Sequence, residues 1–112
     1  MIKHIAFLQE SFPGLGEDSA RELLSLVRES TYPTSTVLCR EGAIEDVFYL
    51  IVDGQVAILK WMEFSGEERL LRYSEVGDFF GEMAIISDAP RGATVKTTRQ
   101  TTVLEMDRES FL

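Results

Sequence analysis

A mainly β fold with flanking helices, its strands closed into a barrel or double sheet, is what this 112-residue sequence predicts. Three observations carry the expectation. After Tyr32-Pro33 the chain consists of short apolar or alternating runs divided by turn signals at fairly regular intervals, the pattern of an all-β sandwich or barrel. A single amphipathic helix stands before those runs. Several runs, "VAILKWM" among them, are apolar on both faces, and closing such strands on themselves removes edges that would otherwise invite aggregation.

The helix rests on Ala20, Leu23, Leu24 and Val27, which fall at i, i+3, i+4 and i+7 and so share one face. It is expected from about Glu17 to Arg28. Ser19 followed by Glu22 matches a capping box, and Gly16 one turn earlier is an alternative start.

The strands follow in order. "TVLC" is the first short run, and "DVFYLIVDGQVAILKWM" contains two more, joined at Asp53-Gly54. Asp-Gly suits a type I′ hairpin turn because both central residues take positive φ. "FSGEERLLRY" predicts a second hairpin, turning at Ser65-Gly66 between a strand ending near Glu63 and one covering Glu68 to Tyr73. "ATVKTT" alternates and is expected to pair with "TTVLEMD" across Arg99-Gln100. Flanking turns and β-branched content favour strand over buried helix in these runs. In "MDRESFL" Asp107 can cap a helix that Phe111 and Leu112 begin, and the expectation is a fragment of something longer, its final helix cut short.

Composition narrows the function. Nineteen acidic against eleven basic residues leave a formal net charge of −8, which opposes binding a polyanion over a broad surface, so no direct nucleic-acid contact is expected. Hydrophobic residues at 45% and charged residues at 27% match an ordinary folded domain, and 112 residues fit one. One cysteine, Cys39, excludes an intramolecular disulfide and a thiol metal knuckle; a reduced cytoplasmic setting is expected. No apolar run approaches a membrane span, and "MIKHIAFL" is too short for a signal peptide. The lone histidine, His4, reads as a surface or helix-packing residue, and cannot supply a metal site by itself. No G-K-[ST] follows a glycine loop, so P-loop chemistry is excluded.

"FGEMAIISDAPRGATVK", Phe80 to Lys96, is neither helix-long nor strand-like. Gly77-Asp78 makes a turn before it, "GEMAII" suits two helical turns, and Pro90 pushes Ala89 to extended geometry. Amides of a first helical turn lack intrahelical partners and point outward as donors. Gly81 permits close approach to backbone, and Arg91 arrives from the far end of the loop with a planar fork suited to an anion. Glu82 fits an adjacent hydroxyl donor. Taken singly, Glu82 is also a common dipole preference and Arg91 a common surface residue.

This stretch resembles the phosphate-binding cassette of cyclic nucleotide-binding domains, which runs F-G-E, a small apolar helix, P-R, two small residues, T-V. "REGAIEDVFYLIVDGQVAIL" and "VGDFFGE" resemble the family as well, so the likeness covers nearly the whole chain. It implies a double-stranded β-helix (jelly-roll) barrel with an N-terminal helix, a short helix in the cassette and a C-terminal helix. It implies Arg91 on the cyclic phosphate, Glu82 on the ribose 2′-hydroxyl, backbone amides near Gly81, Met83, Ala84 and Gly92 on the phosphoribose, and Val95 at the pocket wall near the base. It implies a regulatory module rather than an enzyme, with no cofactor or metal. It implies cAMP in preference to cGMP as the expected ligand, because Gly92 stands where a threonine hydroxyl is associated with guanine recognition in the family. Homodimerisation through the flanking helices is an option, and so is a fold that has lost its ligand and serves only for interaction or dimerisation.

Overall fold

A computed structural model describes residues 2–81, 90–107 and 109. Two helices, α1 (Ile2–Ser11) and α2 (Glu17–Leu26), precede eight strands: β1 (Arg28–Tyr32), β2 (Val37–Cys39), β3 (Val47–Asp53), β4 (Gln55–Met62), β5 (Glu67–Glu75), β6 (Phe79–Phe80), β7 (Thr94–Thr97) and β8 (Thr101–Asp107). The strands form two four-stranded antiparallel sheets, β1-β8-β3-β6 and β2-β7-β4-β5, the two-layered jelly-roll arrangement expected.

Alternation along β3 explains the strands that read as apolar on both faces. Tyr49 and Ile51 point between the sheets, where they meet Leu38, Val56, Ile58, Phe80, Val95 and Val103. Leu50, pointing the other way, joins Leu104 against Ile5, Leu8, Ala20 and Leu24 of the helices. The first sheet is thus covered on both faces, one by the second sheet and one by the helical layer.

The α2 helix begins where the glycine alternative puts it. Gly16 is the N-cap, with φ −70° and ψ 162°, and no side chain caps it. Ser19 and Glu22 therefore lie inside the helix rather than forming a box, while Glu17 and Asp18 occupy the first turn and complement its dipole. The helix ends at Leu26, two residues before the predicted Arg28, because Val27 is extended and Arg28 pairs with Glu105 in β1. Neither α1 nor β1 was expected from the sequence. His4, on α1, is a buried packing residue whose Nε2 lies 2.7 Å from Glu29 on β1, tying the helical layer to the sheet.

Two predicted pairings are corrected. β3 and β4 meet at Asp53-Gly54, but they belong to different sheets and do not pair. Gly54 has φ +108°, whereas Asp53 has no positive φ, so the dipeptide is no type I′ turn. β7 and β8 likewise enter different sheets. Both connections are corners where the chain crosses between layers, and they are fastened to each other. Gln55 N donates to Thr101 Oγ1 at 3.3 Å, Thr98 N to Gln55 O at 3.0 Å, and Arg99 Nη2 to Gly54 O at 3.3 Å. The Ser65-Gly66 hairpin stands as predicted, with β4 against β5, Gly66 at φ +68° and its N–H on Met62 O.

No helix among the described residues is long and apolar enough to cross a membrane. The cassette helix and most of the predicted C-terminal helix lie outside the described residues.

Candidate functional site

β6 brings the candidate loop to the barrel. Tyr49 pairs with Phe80 and Leu50 with Phe79, so the chain leaves the sheet at Gly81 beside Val47. Gly81 has φ +82°, a conformation that L side chains rarely adopt. A Cβ there would stand 2.5 Å from Arg91 Nη1 and 2.7 Å from Val47 O. The group that uses the glycine's close approach is thus the Arg91 guanidinium itself.

Arg91 is held at both backbone and side chain. Its N–H donates to Ala43 O and its carbonyl accepts from Gly42 N, each at 2.8 Å, which docks the return limb of the loop onto the 40–43 turn. Its side chain is only 8% exposed. Nε donates to Glu45 Oε1 at 3.1 Å, and Nη2 donates to Val47 O at 2.6 Å. A guanidinium carries five N–H donors, so these two bonds orient the fork and, among the described residues, leave three donors, two of them on Nη1. A buried cation with one carboxylate partner among the described residues, and planar donors those residues do not use, is suited to receive an anion.

The guanidinium faces a cavity of about 290 Å³, close to the lower end of the roughly 300–1,000 Å³ usual for ligand pockets. Cys39, Ile58, Phe80 and Val95 supply apolar wall, and Arg72 and Arg91 supply charge. Phe80 is stacked on Tyr49, with ring centroids 4.9 Å apart. Val95, Ile58 and Arg72 stand in register across β7, β4 and β5. Strands lie about 4.8 Å apart, so Arg72 is roughly 10 Å from Val95 along one row of the wall. Its Nη1 donates to Ser74 Oγ at 2.9 Å.

Of the expected site residues, Gly81, Arg91, Gly92 and Val95 all line this one cavity. Glu82, Met83 and Ala84 lie outside the described residues. Gly92 is exposed, its carbonyl accepts from Lys60 Nζ at 2.8 Å, and a Cβ there would meet nothing within 4 Å. Sequence reasoning missed Glu45 and Arg72. Glu45 carries no local signal in "GAIEDV", and Arg72 sits in a run of charges that reads as solvated surface; the register with Ile58 is what assigns it to the cavity. Among the described residues no cluster of His, Cys, Asp or Glu is suited to a metal ion.

Cys39 is the one nucleophile among the described residues of the wall. Burial pushes its thiol up to about 11, against a smaller downward pull from Arg91, so it stays protonated at neutral pH. Slow maleimide labelling of Cys39 near pH 7, rising as pH approaches 11, is the expected result, with mass spectrometry as the readout. Rapid labelling at pH 7 in the folded protein would contradict this placement. The linkage has the same sign: a thiol pKa raised on folding stabilises the protein below the unfolded value, and that contribution is lost as pH rises through about 11.

Comparison with known proteins agrees with this geometry. The family model described as cyclic nucleotide-binding domain matches residues 29–112. The cAMP-dependent protein kinase regulatory subunit of Blastocladiella emersonii is 30% identical over 100 residues, covering 89% of this chain and 25% of that protein. The cGMP-dependent protein kinase egl-4 of Caenorhabditis briggsae is 34% identical over 101 residues, covering 89% of this chain and 14% of that protein. The chain therefore spans a quarter or less of the length of these two relatives. Among solved structures, the regulatory domain of Toxoplasma gondii PKA with cAMP superposes with a TM-score of 0.85 at 30% identity, over 96% of this chain and 41% of that one. The catabolite activator protein of Thermus thermophilus gives 0.82 at 27% identity, over 90% and 47%. With the barrel, the docked loop and the buried guanidinium in place, the chain belongs to the cyclic nucleotide-binding domain family.

Proposed function

We propose that the chain is a regulatory module that binds a cyclic purine nucleotide, cAMP in preference to cGMP, and passes occupancy to an attached effector. The observation that carries the reading is the Arg91 guanidinium, 8% exposed, oriented by Glu45 and Val47 and facing a cavity, with three donors not used by the described residues. In this proposal those donors hold the cyclic phosphate, Glu82 accepts from the ribose 2′-hydroxyl, and amides near Gly81, Met83, Ala84 and Gly92 complete the cradle. Val95 bounds the base. No residue acts as a catalyst.

Transmission has a physical route in β6. Phe80 faces the cavity, and its neighbour Phe79 points the opposite way, 5.5 Å from the ring of Phe12 beyond α1 and 5.7 Å from Phe48. A ligand that moves β6 therefore moves a contact of the helical layer. Coupling of this kind needs different affinities for two helix arrangements.

Arg72 favours a second reading, cGMP. A guanidinium only donates; guanine presents O6 and N7 as acceptors, whereas adenine presents an amino donor beside N7. Gly92, without a hydroxyl, argues for adenine. Titration calorimetry with both nucleotides decides: the proposal expects saturable heat with cAMP and a weaker response to cGMP. Gly92→Thr, for which there is space, should raise relative cGMP affinity, and Arg72→Ala should lower it if the second reading holds. Absence of heat with either nucleotide would sink the binding proposal.

A further inference from the structure

The return limb of the candidate loop changes partners at Gly92. Downstream of it β7 pairs with β4, and the last pair of that ladder is Leu59 with Thr94. β4 does not stop there, but runs on through Lys60, Trp61 and Met62, still paired with β5. Upstream, Arg91 has left the sheet and is bonded to the 40–43 turn through Ala43 O and Gly42 N. The limb therefore parts from a strand that continues beside it, within the two residues Gly92 and Ala93.

Register shows what a longer ladder would contain. Opposed residues of antiparallel strands alternate between pairs that exchange N–H···O bonds and pairs that do not. Trp61 turns its N–H toward the β7 side, because the group it reaches is the carboxylate of Glu41, whose own N–H donates to Thr94 Oγ1 at 3.0 Å. Trp61 lies two residues beyond Leu59 and Gly92 two residues before Thr94, so the next bonded pair would be Trp61 with Gly92. Both bonding groups on that line are diverted. Trp61 N–H donates to Glu41 Oε1 at 2.9 Å, and Gly92 O accepts from Lys60 Nζ at 2.8 Å. Glu41 Oε2 lies 3.6 Å from Lys60 Nζ, so the two side chains form one charged bridge at the parting point. Gly92 N–H, which would have bonded Trp61 O, has no partner among the described residues, and Gly92 lines the ligand cavity.

We propose that Glu41 and Lys60 are positioning residues for the bound anion, a wedge that ends the ladder of β4 and β7 at Thr94. The wedge leaves Gly92 N–H to the cavity and lets Arg91 dock on the 40–43 turn. The competing arrangement is a ladder longer by one pair, in which Gly92 N–H and O are both spent on Trp61 and the limb carrying Arg91 is drawn toward β4. Charge decides between the two: bonds to a carboxylate or from an ammonium are stronger than the neutral backbone bonds they replace. The role in ligand binding rests on the nucleotide reading, whereas the wedge is a property of the chain without ligand.

Amide hydrogen exchange read by NMR tests the wedge on the ligand-free chain. Glu41→Ala removes the acceptor of Trp61 N–H, and Lys60→Met removes the ammonium while keeping the stem. In either variant the ladder gains its next pair, and the Gly92 amide is expected to exchange about tenfold more slowly than in the wild type. A loss of stability alone would move that exchange the other way, and thermal melts establish that each variant is folded. Calorimetry on the same proteins should show cAMP affinity lowered about tenfold, the loss of one hydrogen bond to a charged group. Glu41→Gln, which keeps an oxygen for Trp61 N–H, should bind cAMP more tightly than Glu41→Ala, and Lys60→Arg more tightly than Lys60→Met. Unchanged or faster Gly92 exchange in both Glu41→Ala and Lys60→Met would overturn the wedge. Slower exchange with unaltered cAMP affinity would overturn its positioning role, as would equal affinities within both conservative pairs. A wild type that gives no heat with cAMP would sink the nucleotide reading, and Gly92 exchange would still decide the wedge.

Discussion

Arg91→Ala lowers cAMP affinity by at least tenfold, and Arg91→Lys lowers it as well though by less. A charge-assisted hydrogen bond in a partly desolvated site contributes about 1.5–3 kcal/mol, which corresponds to roughly 10- to 150-fold in affinity. Lysine retains the charge as a point on a flexible stem. It cannot hold Glu45, the Val47 carbonyl and an anion together, as the planar fork does. The alanine variant also loses stability, because Glu45 and Val47 are left without their donor and the space beside Gly81 is emptied. Calorimetry for affinity and a thermal melt for stability separate the two effects. An alanine variant that melts cooperatively and binds cAMP as tightly as the wild type would remove Arg91 from the site.

That prediction draws on a residue the sequence already marked, and the contrast with Glu45 and Arg72 is instructive. Arg91 is legible because it stands in a loop of unusual composition, "DAPRGATV", directly after a proline that fixes the backbone and before a glycine. Glu45 acts on Arg91 across 46 residues of sequence, and no local pattern encodes a partner at that distance. Arg72 becomes a wall residue only through the bulge that sets it opposite Ile58. Register is a property of two strands, whereas periodicity is a property of one.

The strands show the same division. β4, β5, β7 and β8 fall where turn residues, β-branched content and, in β7, alternation put them, since these signals are written in each strand separately. Partner choice is not local. Asp53-Gly54 and Arg99-Gln100 each join consecutive strands through a short link, the usual mark of a hairpin, yet each link carries the chain from one sheet to the other. Glycine is needed at position 54 for a reason that mimics a turn signal: the two corners pack so closely that no side chain fits between them. α1 escaped notice because Ile5 and Leu8 form only a brief apolar stripe, and its stability comes from packing on Leu50 and Leu104 rather than from its own pattern.

Gly54→Ala is therefore expected to destabilise the fold more than substitution at Gly66, the turn glycine of the β4–β5 hairpin. A Cβ at position 54 would lie 2.5 Å from Thr101 Oγ1, 2.6 Å from Thr101 Cα and 2.8 Å from Gln100 O, and two of those three atoms are backbone. With φ at +108° the residue also sits where an L side chain is strained even in open space. Backbone strain and overpacking each cost about 1–3 kcal/mol, so their sum is roughly 2–6 kcal/mol, a large share of the ~5–15 kcal/mol that holds a domain of this size. The melting temperature should fall by about 10 °C or more. Gly66→Ala is the control: its φ of +68° imposes strain, but a Cβ there meets nothing within 4 Å, so only about 1–2 kcal/mol is at stake. Equal losses at the two positions would mean that the corner of β3 and β4 is not packed against that of β7 and β8. A much larger loss at Gly54 would locate a principal joint of the two sheets in that contact, on strands whose other ends carry the walls of the ligand cavity.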